Sequence, residues 1–209
     1  MKRGKGAEQM DRFVVFDTET PNSANDRMSA IGVAVVENGK VVETFSTLVN
    51  PQEPFHIFNI QLTGILPEQA ALAPTFPELW EAKLASVMEN GVLVAHNAPF
   101  DMSVLSKCLR AYGIQWKPVV EYACTCQIGR SPWGRNCLPP VPNHRLDTLC
   151  AGLHIPLDHH RAGSDSEACA ALLVYYLKNG APVENYIRRY DLVAGRTLQQ
   201  EKRRRTGRI

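Results

Sequence analysis

Residues 13–19, FVVFDTE, place four consecutive apolar side chains directly before two acids, and no other segment restricts the fold as tightly. The apolar run Phe13–Phe16 predicts a buried strand. An uncompensated charge at the tip of such a strand costs several kcal/mol, so something positive has to meet it. Side chains alternate along a strand, which sends Asp17 and Glu19 to one face and Thr18 to the other. Acids are common where a strand runs into a turn, so this D-x-E pattern alone does not establish a site.

The rest of the chain predicts an α/β protein. Ile31–Val36 and Val41–Leu48 flank Asn38-Gly39, a two-residue hairpin turn, so three strands open the fold. Leu79, Trp80, Lys83, Leu84, Val87 and Met88 mark one helix face, with Pro77 near its start. The strand GVLVAHN (91–97) follows. Phe100, Val104, Leu105, Cys108, Leu109 and Tyr112 then recur at helical spacing up to a terminating Gly113. Residues 131–143 read as a Pro- and Gly-rich loop. Ser164 and Glu167 read as a capping box that starts the last long helix at Asp165.

With 209 residues, 44% hydrophobic and 21% charged, the chain can bury one substantial core, and its net charge of +2 does not by itself announce a nucleic-acid partner. The expected organisation is a flexible N-terminus over 1–12, one domain over 13–190 and a basic tail over 191–209. The first twelve residues are basic but carry no signal-peptide apolar stretch, and no segment approaches membrane-span length. The expectation is a cytoplasmic protein without a membrane partner. Six cysteines fall irregularly and are read as free thiols. Cys124, Cys126, Cys137 and His144 are zinc-type ligands, but C-x-C is tighter than the usual structural spacing, so packed thiols are the favoured reading.

Two further acids sit where strand ends and helix starts gather. Asp101 follows the strand at 91–97, and Asp165 lies in the first turn of the last helix. Each is explained separately by the helix dipole. Four carboxylates around one cavity would repel and protonate unless cations intervened, and hard oxygen ligands suit magnesium or manganese rather than zinc.

Three segments, DTET, HNAPFD and HHRAGSD, resemble in order and spacing the motifs of the DEDDh (DnaQ-like) 3′–5′ exonucleases, a group that includes polymerase proofreading subunits and RNase T. NIQLTGI is similar to that family's segment beside the terminal nucleotide, and NHRLDTLC to its helix before the last motif. The resemblance implies a ribonuclease H-like fold: a mixed five-stranded sheet, its second strand antiparallel, with helices on both faces.

It also implies hydrolysis assisted by two Mg2+ or Mn2+ ions. Asp17, Glu19 and Asp165 would be inner metal ligands and Asp101 an outer one. His160, five residues before Asp165, would be the general base, with His159 a loop histidine. Thr18, Thr63, Ile65, His96, Asn97 and Phe100 are the implied substrate contacts. Relatives often continue the first motif as T-G-L, whereas Thr20 is followed here by Pro21, Asn22, Ser23 and Ala24. The implied activity is release of nucleoside 5′-monophosphates from single-stranded DNA or RNA 3′ ends, DNA favoured, with a DNA polymerase or a helicase as the partner classes to expect. The competing reading is a non-catalytic binding module on the same fold. Such a module has no physical reason to gather these titrating groups.

Overall fold

The computed structural model describes residues 12–199. Residues 1–11 and 200–209, which hold most of the expected N-terminal arm and the most basic part of the tail, lie outside the described residues. A sheet of order β3-β2-β1-β4-β5-β6-β7 organises the chain. Its strands are β1 (Arg12–Glu19), β2 (Ala30–Glu37), β3 (Lys40–Leu48), β4 (Val92–Ala95), β5 (Val119–Cys124), β6 (Arg188–Asp191) and β7 (Arg196–Thr197). β1 pairs antiparallel with β2 and parallel with β4, and β4 pairs parallel with β5.

The first five strands therefore have the expected mixed arrangement. The sheet is larger than expected, because β6 and β7 add two antiparallel strands beyond β5. The expected boundary at 190 cuts through β6, and the ordered hairpin reaches Thr197. Tyr190 explains part of this extension, since it is buried and packs edge-on against Tyr122 of β5.

β1 is central, and its alternation separates two cores. Val14 and Phe16 face one layer, built on α5 (Pro99–Ala111) and the helical stretch 76–88. Phe13 and Val15 face the other, built on α8 (Leu146–Leu153) and α9 (Ala162–Lys178). At the β2–β3 turn Asn38 and Gly39 have φ of 51° and 69°, the backbone that a tight two-residue hairpin needs.

The connections add short helices: α1 (Ile57–Thr63), α2 (Pro67–Ala70), α6 (Thr125–Gly129) and α7 (Pro132–Cys137). The helix expected over Leu79–Met88 consists of α3 (Phe76–Leu79), a π-helical turn (Trp80–Leu84) and α4 (Ala85–Met88). Two local expectations need correction. The stretch 131–143 is not all loop: Ser131 caps α7 by accepting from Gly134 N, with Pro132 at its first position. α9 starts three residues earlier than the S-x-x-E pattern suggests. Ser164 lies inside its first turn, and its hydroxyl accepts a 2.7 Å bond from Asp158 N instead of capping the helix.

Candidate active site

Asp17 and Glu19 sit at the C-terminal end of β1 and Asp165 in the first turn of α9, with one carboxylate oxygen from each within 4.8 Å of the others. They meet because the register puts Asp17 opposite Gly32 of β2, where an added Cβ would lie 1.9 Å from Ala162 O. Only a residue without a side chain lets the start of α9 come this close.

Asp101 approaches from the other layer. β1 outlasts β4, whose pairing ends at Val15↔Val94, so Thr18 N has no strand partner on that side. Asp101 Oδ1 accepts from Thr18 N at 3.1 Å and from Thr18 Oγ1 at 3.0 Å. Three acids thus form one group, and the fourth is fastened beside them through Thr18.

The electrostatics reflect this crowding. Asp17 is raised well above its ordinary value, first by burial and then by Asp101, Glu19 and Asp165. Glu19 rises to about 8, by burial and then by Asp165 and Asp101. Burial pushes Asp101 up to about 7 against the lowering effect of its bonds to Thr18. A set of hard oxygen donors that repel one another and carry displaced protons fits divalent cations.

Both adjacent histidines reach Asp165. His160 N donates to Asp165 Oδ2 at 2.9 Å, and His159 Nδ1 lies 2.9 Å from Asp165 Oδ1. The two rings stack at 4.0 Å. His159, expected to be a loop residue, is therefore part of the site. Burial, followed by the His159 charge, pulls His160 below the ordinary imidazole value.

The remaining expected contacts divide. Both ring nitrogens of His96 are engaged by other partners: its Nδ1 is 2.9 Å from Thr125 Oγ1 and its Nε2 is 3.0 Å from His144 O. Burial lowers it to about 4, so at neutral pH it is an uncharged strut. Asn97 is exposed, has φ of 68° and lines a cavity beside the acids. Phe100 is 38% exposed next to Asp101, whereas Ile65 is buried against Ala30, Ala70 and Ala162. Thr63 Oγ1 donates to Asn59 O and accepts from Ile65 N, closing the end of α1.

No residue of α1 is buried, and Ile57 and Phe58 are 68% and 66% exposed. Asn59 Nδ2 fastens this helix to Thr20 O at 2.9 Å. The expectation picked Thr63 and Ile65 from this segment, but the apolar surface near the end of β1 belongs to its other side chains. Cys124 and Cys126 pack in the α5-side core, and Cys126 Sγ donates to His144 O at 3.2 Å. Among the described residues the side chains close enough to share a metal are Asp17, Glu19 and Asp165, and His159, His160 and Asp165.

The comparisons with known proteins agree with this geometry. The exonuclease family profile, of RNase T type, matches residues 14–173. DNA polymerase III PolC-type of Bacillus cereus is 34% identical over 174 residues, and that of Oceanobacillus iheyensis 36% over 168. These alignments cover 81% and 78% of this chain but only 12% and 11% of those much longer proteins. Among solved structures, Exonuclease X in complex with 5′-overhanging duplex DNA superposes with a TM-score of 0.64 at 24% identity, covering 83% of this chain and 96% of that one. A 3′-exonuclease described for 3′-end-specific recognition of a histone mRNA stem-loop gives 0.71 at 18% identity, covering 93% and 92%. At these identities the structural matches speak for the fold.

Proposed function

We propose that this chain, which belongs to the RNase T-type exonuclease family, is a 3′–5′ exonuclease that releases nucleoside 5′-monophosphates one at a time from single-stranded nucleic acid, preferentially DNA. The observation that carries the reading is the convergence of Asp17, Glu19 and Asp165 within 4.8 Å inside the family-matched region. The names of the PolC-type relatives favour DNA and make a DNA polymerase the partner class to test first. Among the described residues no helix is long and apolar enough to cross a membrane.

Asp17, Glu19 and Asp165 would hold two divalent ions, magnesium or manganese, with Asp101 as the outer ligand. When bound, such ions neutralise phosphate charge, acidify water and stabilise a departing oxygen. The chain's own groups supply the rest. Thr18 fixes Asp101 by two hydrogen bonds, so the outer carboxylate cannot swing away. His159 and the His160 backbone each hold one oxygen of Asp165, which fixes its orientation. A ring nitrogen of neutral His160 takes the proton of the attacking water, and its lowered pKa keeps that neutral form abundant near pH 7. Phe100 and the exposed face of α1 offer apolar surface to the terminal base.

Incubation with magnesium and a 5′-labelled linear single strand should give a ladder shortening from the 3′ end, while a circular single strand survives. Prompt cutting of the circle would point to an endonuclease and overturn this reading.

A further inference from the structure

We propose that His159, His160 and Asp165 form a second metal site, suited to zinc rather than magnesium, and that zinc held there arrests the enzyme. The arrest rests on the exonuclease reading, whereas the binding of zinc does not.

A proton acceptor needs one imidazole, and this loop presents two. A ring nitrogen from each of His159 and His160 and an oxygen of Asp165 all lie within 4.8 Å of one another. Consecutive side chains ordinarily diverge, but His160 has φ of 66°, and the two rings stack at 4.0 Å with 23° between their planes. The backbone is tied down on both sides of the pair: Asp158 N donates to Ser164 Oγ at 2.7 Å and His160 N to Asp165 Oδ2 at 2.9 Å. Both rings are half-buried, so an ion can reach them from solvent. Ligand atoms around a tetrahedral zinc lie about 3.3 Å apart, given bonds of about 2.0 Å. His159 Nδ1 already stands 2.9 Å from Asp165 Oδ1, so small ring rotations complete the geometry.

Ligand chemistry separates this set from the carboxylates. Asp17, Glu19 and Asp165 offer oxygen alone, which suits magnesium. Two imidazoles and one carboxylate suit zinc, whose affinity for such donors far exceeds that of magnesium, and three protein ligands leave a fourth position open. Among the described residues no other group of three donors this close contains a histidine or a cysteine.

The two sets share Asp165, and that sharing makes zinc an inhibitor. An ion held by the histidines occupies the His160 nitrogen that would accept the proton of the attacking water, and it draws an Asp165 oxygen away from the magnesium set.

Titration of zinc against a chromophoric chelator, in millimolar magnesium, measures the site without turnover. Wild type should take up an equimolar amount of zinc. Asp17→Asn damages the oxygen set but spares both rings, and should bind zinc nearly as tightly as wild type. His159→Ala should bind it at least about tenfold more weakly. His159→Gln, which keeps a polar partner for Asp165, should show the same loss and serves if the alanine variant melts early in chelator. The zinc concentration that halves magnesium-supported cleavage should rise by the same factor in each His159 variant, measured against that variant's own rate. Zinc binding unchanged in both His159 variants would place the ion on thiols such as the exposed Cys137 and overturn the proposal. Zinc binding lost in Asp17→Asn would place it on the carboxylates and overturn it equally. Zinc that binds as expected yet leaves cleavage at its full rate overturns the arrest. Failure of the wild type to cut any linear strand would instead count against the exonuclease reading, and the chelator titration would still judge the site.

Discussion

Gly32 lies directly across the β1–β2 ladder from Asp17, and the space its missing side chain leaves is filled by the Ala162 carbonyl at the start of α9. This approach brings Asp165 to the end of β1. A methyl group at position 32 would have to displace backbone, which does not yield cheaply. Gly32→Ala should therefore destabilise the protein by about 1–3 kcal/mol and, more tellingly, should remove most of the melting-temperature increase produced by millimolar magnesium. Melting curves with magnesium and with chelator check both, and a variant with an intact magnesium response would separate α9 placement from metal binding.

The acid cluster should make the metal-free protein less stable as pH rises. Glu19 moves from 4.5 to about 8 and Asp101 from 3.8 to about 7, so across that window the folded state holds protons that the unfolded chain has released. Stability is greatest below about pH 4, falls as pH rises through that window and levels off above about pH 8. Saturating magnesium should suppress the fall. Calorimetry in chelator at a series of pH values measures it, and a melting temperature that climbs between pH 5 and 8 would contradict the cluster's electrostatics.

Asp17→Asn and Asp165→Asn should each abolish most metal-induced stabilisation, because each removes one carboxylate from the set whose oxygens lie within 4.8 Å of one another. A metal response equal to wild type in either variant would show that the ions bind elsewhere.

The two histidines should separate in kinetics. Replacing the proposed general base, His160→Ala, should lower single-turnover rates about 100- to 10,000-fold and leave magnesium stabilisation nearly intact. His159→Ala removes the 2.9 Å contact to Asp165 and a stacking partner of His160, so it should weaken magnesium binding and lower the rate more modestly. If His159→Ala is the more damaging to the chemical step at saturating metal, the base has been assigned to the wrong ring.

Much of the fold was legible in local pattern. The four apolar residues before Asp17, the Asn38-Gly39 turn and the helical spacing over 100–112 are short-range signals, and each produced the element it predicted. The capping pattern at Ser164 and Glu167 misled because the hydroxyl had a stronger use, receiving Asp158 N and anchoring the loop that carries both histidines. A glycine inside the strand AIGVAVVE was a visible mark of close backbone approach, although the sequence did not say what approached.

The sequence by itself determined which residues are candidates for the chemistry, because acids at strand ends and helix starts, in a recognisable order, are a property of the chain. The tertiary structure decided which of them share a space. β1 has two faces, so Asp17 and Glu19 join Asp165 on the α9 side while Thr18, pointing to the other side, captures Asp101. It also decided that His96 serves as a strut, since its partners Thr125 and His144 lie on elements distant in sequence. A side chain's partners follow from long-range packing, and local periodicity carries no record of them.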